Sequence, residues 1–363
     1  MSSSIVVRPP RRTALLVGIN YNNNPSARLN GCYNDSVNVA QYLRLVLGYS
    51  ADSITLLTDG NRTSTTATIG ASALPPTRQN ILAGMAALVS GMVAGDEAVF
   101  HFSGHGTLVQ DTNNDEITGY DSCLCPLDYA APSSAGGGII TDDELRALLI
   151  NKVPRGARLY VILDCCHNGT GCDVRYKYED YSILLSPTSA PTPVWRTQQK
   201  AFSNGKYTDT TGEVFMISGS RDEQTSADAY INNSFAGALT YAVFSILRAN
   251  QATIRTYSWS ALLRDVRHFM RINRYSQIPQ IMTGQLITPA RAVFAVPVAV
   301  SGSRGGSALQ LTSGSDSIGI MSGSNGEGSR GVLASDSTSP STLFSFTPKS
   351  GSNTPRHGIK FIH

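Results

Sequence analysis

Apolar residues in this chain come in short blocks separated by polar, glycine-bearing segments. TALLVGINY (13–21) is a continuous apolar run closed by glycine and asparagine, which predicts a strand buried on both faces. In GCYNDSVNVAQYLRLVLGYS (31–50), Val39, Tyr42, Leu43, Val46 and Leu47 recur at helical spacing, with Asn34 or Asp35 placed to cap the helix. SITLLTDG (53–60) predicts a second strand, and TRQNILAGMAALVSGM (77–92) a helix capped by Thr77. EAVFHFSGHG (97–106) reads as a third strand, TDDELRALLINKV (141–153) as a capped helix and RLYVILDCC (158–166) as a fourth strand. Further on, EVFMISGS (213–220) predicts a strand, and SFAGALTYAVFSILRAN (234–250) and SWSALLRDVRHFMRI (258–272) predict helices.

Strands alternating with helices imply βαβ units, hence an α/β fold with a mostly parallel sheet flanked by helices. The segments 61–76, 107–138 and 174–212 read as loops. From about residue 300 the chain turns to Ser, Gly and Thr with few large apolar residues, which predicts a loosely attached extension. The expected organisation is a short extension over 1–11, one domain over 12–298 and a Ser/Gly-rich extension over 299–363.

Composition narrows the function. The 363 residues carry a formal net charge of +3 and no Lys/Arg-rich run, so nucleic acid is not an expected partner. No stretch approaches the roughly 20 apolar residues that span a bilayer, and the N-terminus lacks a signal-peptide core, so no membrane association is expected. The six cysteines are too few for a disulfide-stapled fold of this length and lack the paired CxxC spacing of a zinc site. Reduced thiols in the cytoplasm are the expected state, which makes thiol reactivity the question.

In open parallel sheets, ligands sit beyond the carboxyl ends of the strands. HFSGHG and LDCCHNG both fall at such ends. The first supplies a histidine between glycines, and the second supplies cysteines followed by glycine, the parts a thiol hydrolase needs for nucleophile, base and oxyanion donors. Residue types alone leave a structural buried cysteine equally open.

Eight ordered segments add to this reading: LLVGINY, GCYNDSVNV, HFSGHGT, DSCLCPLDY, ITDDEL, LDCCHNGTGCD, ISGSRDEQTSADA and YSQIPQI. Over roughly residues 12–285 they resemble the metacaspases, caspase-like cysteine peptidases, in the type I arrangement. The resemblance implies a caspase-like three-layer sandwich with a large region over about 12–173, a connecting loop over about 174–212 and a small region over about 213–298. It implies His105 as general base and Cys166 as nucleophile, with Cys165 the competing thiol and His167 structural. Asn168 departs from the family's usual serine.

It further implies cleavage after arginine or lysine, with Asp35 and Asp164 as acidic pocket residues and Ser103 lining the pocket. On residue type alone Asp35 is a helix cap. Asp121, Asp142, Asp143 and Asp173 match a calcium site that activates the family. Their carboxylate oxygens suit that ion, although Asp142 and Asp143 also suit a solvated helix N-terminus. Expected partners are therefore protein or peptide substrates with Arg or Lys before the scissile bond, with Ca2+ as cofactor and a monomer as the working form. Arg221, Asp222 and Gln224 are candidates for shaping the groove. Arg175, Lys177, Arg196, Lys200 and Lys206 are candidate self-cleavage sites. A catalytically silent scaffold of the same fold is the rival reading.

Overall fold

The structure, a computed structural model, describes residues 8–60, 74–113, 119–132, 134, 136–166, 172–180, 195–199, 208–219, 228–231, 234–288 and 290–294. For 179–180, 195–199, 228–231 and 234–236 only the backbone course is described. The 299–363 extension lies outside these residues, as do His167, Asn168, Arg221, Asp222, Gln224, Lys200 and Lys206.

Thirteen strands are present among the described residues: β1 (Arg12–Gly18), β2 (Ile54–Thr58), β3 (Glu97–Ser103), β4 (Gly106–Gln110), β5 (Tyr120–Leu124), β6 (Ile140–Thr141), β7 (Arg158–Asp164), β8 (Tyr176–Asp180), β9 (Trp195–Gln199), β10 (Glu213–Ser218), β11 (Asp228–Ile231), β12 (Ser234–Gly237) and β13 (Gln280–Thr283). The α-helices among these residues are α1 (Cys32–Leu45), α2 (Arg78–Val89), α3 (Asp142–Leu148), α4 (Ala238–Ala249) and α5 (Trp259–Ile272).

Eight strands form the central sheet in the order β2-β1-β3-β7-β10-β13-β8-β9. The first five run parallel, and β13, β8 and β9 are added antiparallel. Successive side chains of a strand point to opposite faces, and here both faces are apolar. Ala14, Leu16, Val99, Tyr160, Ile162, Phe215 and Ile217 pack with residues of α1, α4 and α5. Leu15, Val17, Phe100, Phe102, Val161, Leu163, Val214 and Met216 pack with residues of α2 and α3. Two cores separated by one sheet make a three-layer α/β sandwich, as the alternating strands and helices predict.

Three helix starts follow the cap rule. Thr77 accepts from the Asn80 N–H at 3.3 Å, Thr141 and Glu144 close a reciprocal capping box at α3, and at α5 Ser258 accepts the Ala261 N–H at 3.2 Å. The start of α1 departs from expectation. The residue before its first turn is Gly31, with no side-chain cap, and Asp35 lies inside the helix. The expected helix over 141–153 ends at Leu148 and continues as a short 3-10 turn over Ile150–Lys152. The helix expected from 234 starts at Ala238, because Ser234–Gly237 is strand β12, paired with β11.

The segments read as loops are not wholly loops. Within 107–138, β4 and β5 pair antiparallel, and β6 completes a three-stranded sheet. Within 174–212, β8 and β9 extend the central sheet. In β8 the buried Tyr176 and Tyr178 alternate with Lys177, a period-2 signal only three residues long. Lys177 pairs with Met282 and Gln198, so this candidate self-cleavage site belongs to a hydrogen-bonded strand rather than an exposed loop.

Candidate active site

Strands β3 and β7 are parallel neighbours, with Ser103 opposite Asp164. The residues that follow each strand therefore emerge together at the carboxyl edge of the sheet, His105 two residues beyond β3 and Cys166 two beyond β7. Their closeness explains a glycine: a Cβ on Gly106 would overlap the carbonyl oxygen of Cys166. Only a residue without a side chain lets these two backbone segments approach.

The two adjacent thiols have opposite surroundings. Cys165 is fully buried in the core beside Leu124 and Leu163, whereas Cys166 is partly exposed. Cys125 lies close enough to Cys166 to feel its charge. Burial first, and then Cys166, push the Cys125 thiol up to about 12. Cys123 is likewise raised, mainly by burial and then by Asp142. Both thiols are protonated at neutral pH and are poor nucleophiles.

His105 is held from three sides. Its Nε2 lies 2.7 Å from the carbonyl oxygen of Ala27, so Nε2 carries the proton and donates it, leaving Nδ1 as the basic nitrogen. Its backbone N–H donates to the Tyr21 hydroxyl at 2.9 Å, and that hydroxyl donates to the Cys125 carbonyl at 2.5 Å. Cys125 closes the loop by donating its N–H to the His105 carbonyl at 3.0 Å. The Tyr21 ring lies tilted against the imidazole, with centroids 4.8 Å apart. Tyr21 takes a left-handed φ of 54° and is buried. A run of apolar residues ending in Ile-Asn-Tyr gives no sign of this role beyond the aromatic itself.

Beside these groups lies a buried acidic cluster. Asp35 and Ser103 are each 1% exposed and Asp164 is 3% exposed. The Ser103 hydroxyl donates to Asp35 Oδ2 at 2.6 Å. The Gly237 N–H donates to Asp35 Oδ1 and Oδ2 at 3.0 and 2.9 Å. Asp164 Oδ2 accepts the Thr240 N–H at 2.8 Å. A Cβ on Gly237 would run into Asp164 Oδ2 and stand 2.7 Å from Asp35 Oδ2, so both carboxylates lie close against this one glycine. His101, on the same face of β3, reaches the Thr240 hydroxyl through Nε2 at 3.1 Å. Burial lowers His101 to about 3, so it is neutral at physiological pH.

The three predicted pocket residues are thus brought together. The four predicted calcium residues are not joined in the same way. Asp121 lies on β5, and Asp142 and Asp143 open α3. Asp142 accepts the Ser122 N–H at 2.8 Å through Oδ2 and the Asp143 N–H at 3.1 Å through Oδ1. Asp143 accepts from Asn113 Nδ2 at 2.6 Å. Asp173, buried with φ 47°, accepts the Arg146 guanidinium at its carbonyl. Their oxygens fit a calcium ion in type, but among the described residues no three His, Cys, Asp or Glu side chains converge to hold a metal.

The family described as metacaspase, peptidase C14 domain, matches residues 12–175. Metacaspase-1 of Pyricularia oryzae is 34% identical over 300 residues, covering 75% of this chain and 71% of that protein. Metacaspase-1A of Aspergillus oryzae is 33% identical over 320 residues, covering 80% and 71%. A crystal structure of a Geobacter sulfurreducens protein superposes with a TM-score of 0.49 and 24% identity, over 77% of this chain and 96% of that one.

Proposed function

Because the chain belongs to the metacaspase family and is thereby a cysteine peptidase, we propose that it is an endopeptidase that cleaves after Arg or Lys, with Cys166 as nucleophile and His105 as base. One observation carries the reading. A partly exposed thiol and an oriented imidazole leave adjacent strands beside a buried pair of carboxylates.

The proposed chemistry follows from those positions. Nδ1 of His105 takes the Cys166 proton, since Nε2 is engaged by Ala27. The thiolate attacks the scissile carbonyl carbon, and backbone N–H groups near Gly106 and Cys166 receive the developing oxyanion. The imidazolium returns its proton to the leaving amine. His105 then activates a water that cleaves the thioester and restores the thiol. Asp35 and Asp164 hold the basic side chain before the scissile bond. Two buried carboxylates repel an aspartate there and compensate the desolvation of a cation.

Calcium stimulation belongs to the same reading. Asp121, Asp142, Asp143 and Asp173 would hold the ion, which would supply positive charge among them and fix the loops they stand on. The side chains would have to turn toward one another on binding, so no chemical step is assigned to the ion.

The test uses matched fluorogenic peptides ending in Arg, Lys or Asp, with calcium and with chelator, and Cys166→Ala as control. Cleavage after Arg or Lys alone, raised by calcium and abolished in the variant, is the expected result. Cleavage after Asp overturns the pocket assignment, and activity indifferent to chelator overturns the calcium role.

A further inference from the structure

Gly219 follows β10 on the face of the sheet that carries Asp164. The point where its Cβ would stand has Gln277 Nε2 at 3.0 Å, Leu239 Cβ at 3.4 Å and Asp164 Oδ1 at 3.5 Å. The missing side chain at 219 lets Gln277 stand close against the backbone beside Asp164, as the one at 237 lets the two carboxylates do. Gln277 comes from the segment leading into β13. It is 3% exposed, and neither its Nε2 nor its Oε1 has a hydrogen-bond partner among the described residues. Burying a primary amide with both ends unbonded is costly. A side chain kept in that state beside a pocket points to a ligand that completes it.

The acceptor count says which ligand. Asp35 already receives Gly237 at both oxygens and Ser103 at Oδ2, and Asp164 Oδ2 receives Thr240. A lysine ammonium brings three donors, whereas a guanidinium brings five in a wide planar fan. We infer that Gln277 is a specificity-determining residue of the pocket, whose Oε1 accepts an N–H of a substrate guanidinium and so favours Arg over Lys. The inference rests on the Arg/Lys reading above and adds a preference between the two. Turning the amide to present Oε1 breaks no hydrogen bond among the described residues, since neither end makes one there.

The test is kcat/KM on two peptides that differ only in Arg or Lys before the scissile bond, for wild type, Gln277→Met and Gln277→Glu, with thermal melts to confirm folding. Losing one hydrogen bond to a charged group should lower the Arg rate of Gln277→Met roughly tenfold or more and the Lys rate less than about threefold. Gln277→Glu keeps an acceptor in place and should hold the Arg:Lys ratio at or above the wild-type value. Equal losses on both peptides in Gln277→Met, or an unchanged ratio, overturn the inference while leaving Arg/Lys cleavage standing. If Gln277→Met does not fold, a lowered ratio in Gln277→Glu overturns it. A wild type that cuts after neither residue removes the Arg/Lys reading and this inference together.

Discussion

The backbone N–H of Gly237 reaches both carboxylate oxygens of Asp35, at 3.0 and 2.9 Å, across 202 positions of sequence. That bond ties the entry to α4 onto the first turn of α1. It also fixes the charged group of the proposed pocket together with Ser103, which donates to Oδ2. Asp35→Asn removes the charge and offers N–H donors to partners that are themselves donors. Losing one member of a buried, hydrogen-bonded charge pair costs about 2–5 kcal/mol, so kcat/KM for Arg peptides should fall on the order of a hundredfold or more. Alkylation of Cys166 by iodoacetamide should change little, which separates a pocket defect from loss of the nucleophile.

Tyr21 holds His105, the proposed base. Tyr21→Phe leaves the His105 N–H and the Cys125 carbonyl without their shared hydroxyl. Such unpaired buried groups cost about 1–3 kcal/mol. We expect a lower melting temperature and a reduced kcat with KM nearly unchanged. A fall confined to KM would contradict the positioning role.

Gly106 allows no Cβ because the Cys166 carbonyl occupies that space. Gly106→Ala must push the β3 and β7 ends apart, and misplacement of reacting groups by about 1 Å costs roughly a hundredfold in rate. Full activity in this variant would mean that the two strand ends do not form the site. Circular dichroism checks that the fold is retained.

Acid sensitivity follows from His101. It is neutral in the folded protein down to about 3, mainly through burial, and charges near its ordinary 6.5 when unfolded. Between those values the unfolded state holds the extra proton, so stability falls as pH drops from 6.5 and levels off below about 3. The slope from this one group is about 1.4 kcal/mol per pH unit. Glu213 adds a later loss. Burial raises it, but Arg291 and Arg158 outweigh that and hold it below its ordinary 4.5, so its contribution is present above 4.5 and lost as pH falls through the lowered value. In denaturant melts from pH 7 to 5, His101→Gln should flatten the slope relative to wild type.

The sequence was most readable where one face or both faces of an element are apolar. The five parallel strands are short apolar runs, and Thr77 caps α2 as a threonine at that position should. Reading from residue type alone failed where a polar residue serves a distant partner. By type Asp35 looks like a cap for α1, but it is engaged by Ser103 and Gly237, in the cluster that the resemblance to the metacaspases implied. Strands β4 and β5 are short and mix Gln110, Asp121 and Ser122 with apolar residues, so they lack a clean alternation. β8 carried a signal in Tyr-Lys-Tyr that its polar surroundings concealed.

The candidate site was legible as motifs, because His105, Cys166, Asp35, Ser103 and Asp164 all stand at strand ends or in the first turn of a helix. Gln277 was not. One amide in Tyr-Ser-Gln-Ile-Pro-Gln says nothing of a pocket until the chain returns to the sheet beside Gly219.

The central claim is that Cys166 attacks substrates held by a basic side chain. Its most direct test is covalent labelling with two peptidyl ketone inhibitors, one carrying Arg and one Asp at the recognition position, followed by peptide mapping. The account predicts one adduct, from the Arg reagent, on Cys166, absent in His105→Ala under the same exposure. An adduct on Cys165, or equal labelling by the Asp reagent, would contradict it.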